Sequence, residues 1–164
     1  MSAAVKKALK KEEAKKVAAR PENAYLAVVR LRGKVGLKKA FIITFVNLRL
    51  HRENHCVIIK NTPENKGMLQ KIKDYATYGE VSEETIKALI DKRGRKIGNL
   101  RLDDAEKKEL LKQIKAGKID SKVFKPLFRL RPASKGLKNK KQHFPMGDLG
   151  YRGESINDLL VRMI

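Results

Sequence analysis

A long segment in the last third of the chain carries only basic charge. Between Asp120 and Asp148 there is no acidic residue, so nothing within the segment neutralises its cations. Closely spaced cations favour a polyanionic ligand, because contact with neighbouring phosphates releases condensed counterions. The segment therefore predicts binding to nucleic acid. Its cations are Lys122, Lys125, Arg129, Arg131, Lys135, Lys138, Lys140 and Lys141.

The whole chain has the same bias. It contains 39 Lys and Arg against 18 Asp and Glu, a formal net charge of +21. It has no Trp, five Phe and four Tyr, so base stacking on aromatic rings is expected to be a minor mode. Contacts to phosphates and to RNA shape remain as the larger contributions.

A glycine-containing turn is a second candidate for phosphate binding. Gly33-Lys34-Val35-Gly36 has the two glycines of a KH-domain clamp, but that clamp joins two helices and this turn follows a strand. The turn can still present backbone N–H groups to a phosphate, although a purely structural turn remains open. The cations beside it are Arg32, Lys34, Lys38 and Lys39.

A third cluster, Arg93-Gly94-Arg95-Lys96 with Arg101, falls at the end of a predicted helix and in the loop beyond it. Cations in a loop beside a rigid element suit RNA grooves, while solvated surface charge is the alternative.

Metal binding and catalysis have little support in the sequence. His51, His55 and Cys56 lie close together, but no fourth ligand is evident and Arg49 and Arg52 would oppose a cation. A histidine hydrogen-bonded to backbone or RNA is the preferred interpretation, and we expect neither metal nor cofactor. Nucleophile-elbow, phosphate-loop and zinc-protease motifs are missing from the sequence, so we expect no enzymatic activity.

The composition predicts a folded domain, because 41% hydrophobic residues in 164 positions can form one modest core. No apolar run approaches the roughly 18 residues that cross a bilayer, and no secretory signal is visible, so we expect a soluble intracellular protein. The single cysteine agrees with a reducing compartment.

Hydrophobic periodicity predicts the elements of a core domain at residues 24–81. Alternation at residues 25–32 indicates a strand, residues 37–50 have helical spacing, and residues 56–59 form a short apolar run typical of a buried strand. A second helix contains Met68, Leu69, Ile72 and Tyr75, and a third strand follows at residues 78–81.

A C-terminal extension is predicted at residues 82–164, within one domain of residues 24–164. Ser82 is an expected helix N-cap, and Asp103 with Glu106 resembles a capping box for a helix that ends at Gly117. A basic loop at residues 121–147, which we expect to be mobile without RNA, precedes a final helix at 156–163. Residues 1–23 indicate a basic, helix-prone extension, and a solvated tail is the alternative.

These elements predict an α+β fold. Its core is a small three-stranded sheet in the order βαβαβ with helices on one face, followed by extra C-terminal helices and the basic loop. We expect the first two strands to be parallel, and the uncovered sheet face to be available for RNA.

Several motifs in order resemble a known family. The segment Leu48-Arg49-Leu50-His51-Arg52-Glu53-Asn54-His55-Cys56 is followed by Thr62-Pro63, Lys66-Gly67-Met68-Leu69 and later Gly147-Asp148-Leu149-Gly150. This succession is similar to the uL30 family of large-subunit ribosomal proteins (bacterial L30, eukaryotic L7 type), most of all to its archaeal and eukaryotic long form. The similarity covers about residues 25–164.

The resemblance implies a ferredoxin-like core and a structural, non-catalytic role in the cytoplasmic large ribosomal subunit. The implied partners are 23S-type rRNA, the region near 5S rRNA and neighbouring ribosomal proteins, with no membrane and no small-molecule substrate. The RNA-facing pieces would be residues 32–39, 49–55 and 62–68. Combined with the charge clusters, the predicted RNA-binding residues are Arg30, Arg32, Lys34, Lys38, Lys39, Arg49, His51, Arg52, His55, Lys66, Lys71, Arg93, Arg95, Lys96, Arg101, Arg129, Arg131, Lys135, Lys138, Lys140, Lys141 and Arg152.

Two other classes remain open. A chromatin-like DNA-binding protein would share the charge but should contain a helix-turn-helix, an intercalating wedge or a dimer seam. An RNA-modifying enzyme should contain a cofactor loop or a catalytic pair. The preferred source is archaeal, although the Lys-rich first twenty residues are more similar to the eukaryotic extension.

Overall fold

The computed structural model describes residues 25–116 and 123–164. The basic N-terminal extension and the helix end at Gly117 fall outside these ranges. The described elements are β1 (Tyr25–Arg30), α1 (Lys39–Asn47), β2 (His55–Lys60), α2 (Pro63–Ile72), β3 (Ala76–Glu80), α3 (Glu83–Arg93), α4 (Asp104–Ala116), β4 (Phe128–Arg129), β5 (Gly150–Tyr151), a 3-10 turn (Gly153–Ser155) and α5 (Ile156–Met163).

The strands form one mixed sheet in the order β4-β2-β1-β3-β5, which confirms the α+β class. β1 is central and antiparallel to both β2 and β3, so the predicted parallel pairing of the first two strands is wrong. After α1, the chain at residues 49–54 returns to the end of β1, where the Asn54 amide donates to the Arg30 carbonyl at 2.7 Å. β2 therefore begins beside the end of β1 and runs in the opposite direction.

Both faces of the sheet are covered. Leu26 and Val28 of β1 pack with α1 and α2 on one face. Ala27 and Val29 point the other way, into a cluster with α3, α4 and α5. The expectation of a free sheet face for RNA is therefore wrong, because the C-terminal helices occupy it.

Local signals account for the starts of α2, α3 and α4. The side chain of Thr62 accepts a hydrogen bond from the Asn65 amide, and that of Ser82 accepts one from the Thr85 amide. Glu106 accepts from the Asp103 amide at 3.0 Å, as a capping box requires. No helix in the described ranges is long and apolar enough to cross a membrane.

One glycine in β3 sets how the C-terminal part docks. A Cβ at Gly79 would lie 2.1 Å from the carbonyl oxygen of Gly153, so only glycine lets the 3-10 turn approach the strand. Asn157 of α5 reinforces this contact by donating to the Glu80 carbonyl at 3.1 Å. The close approach positions α5 against the sheet.

Candidate RNA-binding surface

Antiparallel pairing brings distant segments to one end of the sheet. β1 ends where β2 and β3 begin, and the amide of Leu130, just after β4, donates to the Asn54 carbonyl at 3.0 Å. The next amide, that of Arg131, donates to the Met163 carbonyl at 3.0 Å. We call this the basic end. It comprises residues 31–38, 49–54, 73–75, 94–101 and 129–149.

The junction of residues 49–54 is a rigid part of the basic end. Leu50 is fully buried, and its amide donates to the Phe45 carbonyl at 2.8 Å. Arg49 and Asn54 adopt left-handed backbone with φ of 58°, which lets the chain reverse tightly on either side. Asn54 then donates to the Arg30 carbonyl at 2.7 Å. The exposed side chains on this fixed loop are those of Arg49, His51, Arg52 and the acidic Glu53.

Arg30 is part of the scaffold, and its prediction as an RNA contact is wrong. The residue is only 3% exposed. Its guanidinium donates to the carbonyls of Leu50 at 2.8 Å and Arg32 at 2.9 Å, and lies 4.1 Å from the centre of the Phe45 ring. Burial lowers its pKa, with Glu53 acting in the opposite direction. Arg30 therefore stabilises the junction from the protein interior, through its hydrogen bond to the Leu50 carbonyl.

His55 is also unsuited to bind phosphate as a cation. Burial, together with the charges of Arg129, His51, Arg52 and Arg30, lowers its pKa to about 4. It is therefore neutral near pH 7. Its Nδ1 accepts a hydrogen bond from the Arg52 amide at 3.3 Å, the backbone contact that the sequence favoured.

The histidines and the cysteine do not converge on a metal site. Cys56 is fully buried in the core on the opposite side of β2, where burial raises its pKa to about 12. Within residues 25–116 and 123–164, no three His, Cys, Asp or Glu side chains form a group that could hold a metal ion.

The glycine turn at residues 33–36 leads into α1 beside the junction. Lys34, Lys38 and Lys39 are exposed there, and Lys38 at the N-cap makes no side-chain capping bond to the helix. Arg32 lies 5.0 Å from the centre of the Tyr75 ring and donates to the Asp74 carbonyl at 3.2 Å. The turn thus combines exposed cations with the start of a helix, which favours an anion.

The acid-free segment contains regular structure, so its interpretation as an irregular loop is wrong for part of its length. Residues Phe128–Arg129 pair with β2 as β4, because the apolar Phe128 enters the core. Arg162 of α5 donates to the Ser134 carbonyl at 2.9 Å and 3.0 Å. The exposed cations of this segment are Arg129, Arg131, Lys135, Lys138, Lys140 and Lys141.

The prediction of Arg152 as an RNA-binding residue is also corrected by the structure. Its side chain is 8% exposed and pairs with Asp148, so it is not a surface contact for RNA. Burial works to raise the pKa of Asp148, but hydrogen bonds from the Asn139 amide and from Arg152 hold it below its usual value. The Asn139 amide donates to Asp148 at 2.9 Å and the Asp148 amide donates back to the Asn139 carbonyl at 2.9 Å. This pair closes the basic segment onto β5.

The arginine-rich cluster after α3 also reaches the basic end. Arg93 donates to the main-chain oxygen of Ile164 through Nε at 3.2 Å and Nη2 at 2.5 Å. Arg95 and Arg101 face each other across a β-bridge, while Lys96 pairs with Glu106 of α4. Lys96 is therefore directed toward a carboxylate.

Residues 62–68 lie at the opposite end of the sheet, where β2 ends and α2 begins, so the structure does not bring Lys66 to the other cations. That end carries acidic helix starts: Glu64 of α2, and Glu83 and Glu84 of α3. Lys71, near the end of α2, is exposed close to the basic end. Lys73 and Arg162 were missed by the sequence predictions, since only the fold shows that they border it.

Fold and surface together define a class: a small α+β protein in which most of the candidate RNA-binding cations lie at one end of the sheet, as expected for binding a polyanion. Residues 26–76 match the family described as ribosomal protein L30p/L7e. The chain is 46% identical over 149 residues to large ribosomal subunit protein uL30 of Archaeoglobus fulgidus, covering 84% of this chain and 98% of the relative. The uL30 proteins of Methanosphaera stadtmanae (45% over 150 residues, 84% and 99% covered) and Nanoarchaeum equitans (44% over 154 residues, 86% and 99% covered) are similar. The chain belongs to this family of ribosomal proteins.

Proposed function

We propose that this protein is a structural constituent of the large ribosomal subunit and binds rRNA through its basic end. The observation that carries the proposal is the convergence of cationic segments from across the chain on one end of the sheet. It is supported by relatives of nearly the same length that are named large ribosomal subunit proteins.

The rigidity of the basic end favours this role. Cations on a fixed loop lose less conformational entropy on binding than cations on a tail. Leu50, between Arg49 and Arg52, is buried and bonded to the Phe45 carbonyl, and the Asn54 amide is bonded to the Arg30 carbonyl, so the backbone of the junction is already ordered. Arginine also presents a planar fork that matches phosphate oxygens.

The finer partners follow from the family resemblance. We propose contacts with 23S-type rRNA, in the region near 5S rRNA, and with neighbouring large-subunit proteins, in the cytoplasm. The role is structural, with no cofactor and no small-molecule substrate. Phosphate contacts would supply most of the affinity, and recognition of the RNA's shape would supply most of the discrimination between RNA sites.

Sedimentation of the tagged protein from native lysate tests the proposal. The protein should travel with large subunits and remain bound after a high-salt wash. Recovery with chromosomal DNA instead would support a chromatin protein, and recovery with neither would remove the ribosomal role.

A matched pair of variants tests the surface itself. Arg49→Ala with Arg52→Ala should reduce incorporation severalfold in competition with wild type. The control, Lys6→Ala with Lys7→Ala, removes the same charge outside the described residues and should have a smaller effect. Equal losses would contradict the importance of the fixed junction.

A further inference from the structure

Four arginines from three segments surround a recess at one side of the basic end. Arg93 ends α3 and Arg95 lies just after it, Arg101 comes from the loop beyond, and Arg131 comes from the irregular segment after β4. The recess has a volume of about 540 Å³ and is floored by the buried Leu102. We call it the arginine pocket.

The walls of the pocket are held in place by the fold. A Cβ at Gly94 would lie 2.5 Å from both the Ile90 carbonyl oxygen and a methyl of Leu102, so glycine is required where α3 meets the floor. Arg93 is fixed by its two bonds to Ile164. The Lys125 amide donates to the Arg95 carbonyl at 3.0 Å. The pocket is therefore preformed.

The charges of the pocket are poorly balanced from within. Arg95 and Arg101 lie directly opposite each other on an antiparallel bridge, an arrangement of like charges that disfavours folding. Burial lowers the pKa of Arg93, and the charges of Arg131 and Arg95 lower it further. The one acidic side chain in the lining, Asp91, lies 3.9 Å from the ammonium of Lys107. An anion between the arginines would relieve this repulsion.

We propose that the arginine pocket receives a single unpaired RNA nucleotide, with its phosphate bound by Arg95 and Arg101. This inference rests on the proposed function and adds a ligand class to it. The volume lies within the range of about 300 to 1,000 Å³ typical of small-ligand sites, whereas a phosphate alone would leave most of it empty. Guanidinium planes also stack on extruded bases, which a regular duplex does not offer.

Titration of the full-length isolated protein with adenosine 5′-monophosphate tests the pocket. NMR signals of the arginine Nε–H groups are recorded in about 0.3 M KCl to screen diffuse attraction. Signals of the four pocket arginines should shift saturably, with an affinity at least about threefold higher than for inorganic phosphate, a gain of roughly 0.6 kcal/mol. Equal shifts across all arginines, or no saturation, would overturn the site. Equal affinity for adenosine 5′-monophosphate and inorganic phosphate would contradict a nucleotide as the ligand.

Variants separate the pocket from general charge. Arg95→Gln with Arg101→Gln should abolish the saturable shifts, whereas Lys60→Gln with Lys87→Gln, which removes equal charge from exposed positions outside the basic end, should leave them unchanged. If the first pair unfolds the protein, Arg101→Lys decides, because it keeps the charge and loses the fork. Unchanged binding by Arg101→Lys would then count against the pocket.

An RNA comparison identifies the source of the nucleotide. Wild type should bind a hairpin with one bulged nucleotide more tightly than a fully paired hairpin, and the Arg95→Gln, Arg101→Gln variant should lose this preference. Binding of the monophosphate without a preference for the bulge would contradict an RNA ligand. All of these assays omit ribosomes, so a negative result in them argues against the arginine pocket alone. A negative sedimentation result argues against the ribosomal role alone.

Discussion

Replacing the buried Arg30 by Met distinguishes a scaffold role of this residue from a direct contact with RNA. The variant retains an apolar stem beneath the junction and removes the guanidinium that donates to Leu50 and Arg32. If Arg30 acts as a scaffold, the change should lower the free energy of unfolding and affect RNA affinity only slightly.

The expected loss can be estimated from the contacts. Two hydrogen bonds from a charged donor contribute about 1.5 to 3 kcal/mol each, and the contact with the Phe45 ring adds about 1 kcal/mol. Relief of the cost of burying a charge offsets several kcal/mol of this sum. A net loss of about 2 kcal/mol is expected, which lowers the melting temperature of a chain this long by roughly 4 to 8 °C.

Urea unfolding followed by circular dichroism measures the loss, and RNA affinity is measured well below the melting temperature. Arg49→Ala is the matched control, because its exposed side chain should change affinity more than stability. An unchanged unfolding midpoint for Arg30→Met, combined with an affinity loss equal to that of Arg49→Ala, would refute the scaffold role.

Further predictions address electrostatics, packing and accessibility. If about five to eight cations contact phosphates together, RNA affinity should fall by several orders of magnitude over a severalfold rise in salt, and a flat titration would contradict this. Because the folded-state pKa of His55 is lowered from 6.5 to about 4, its contribution to stability is present above pH 6.5 and is lost as the pH falls toward 4. His55→Gln should flatten that part of the stability profile, and an unchanged slope would contradict the burial effect. Gly79→Ala should cost about 1 to 3 kcal/mol in urea unfolding, since the added methyl meets Gly153. Trypsin should cut free protein after the exposed Lys140 sooner than after Arg129, because Arg129 pairs with β2 and the next amide, that of Leu130, donates to the Asn54 carbonyl; mass spectrometry of early fragments would reveal the reverse order.

The core elements could be predicted because their patterns are local. Alternation identified β1, the Ser82 and Glu106 caps identified helix starts, and the spacing of Ile156, Leu159 and Met163 identified α5. Strand direction could not be predicted in this way, because alternation is the same for parallel and antiparallel strands, and the return of residues 49–54 to the end of β1 depends on tertiary contacts.

The site could also be predicted only in part, because its exposure depends on tertiary packing. Charge identified the glycine turn, the arginine-rich cluster and the acid-free segment, and the family resemblance identified the junction at residues 49–55. Neither could distinguish a buried arginine from an exposed one. Arg30 continues the inward alternation of β1 and lies beneath Phe45, and Arg152 pairs with Asp148 four residues earlier. Both features depend on packing partners that are distant or ambiguous in sequence. The arginine pocket likewise needs Arg131 and the loop after α3 to meet in the fold.

The hydrogen bonds from Arg131 to Met163 and from Arg93 to Ile164 have a consequence for biosynthesis. Residues 93 and 131 are distant in sequence from their partners at 163 and 164, so the basic end is complete only once α5 has docked. Its assembly should therefore be a late step of folding, and a nascent chain that still lacks α5 should bind RNA more weakly than the folded chain.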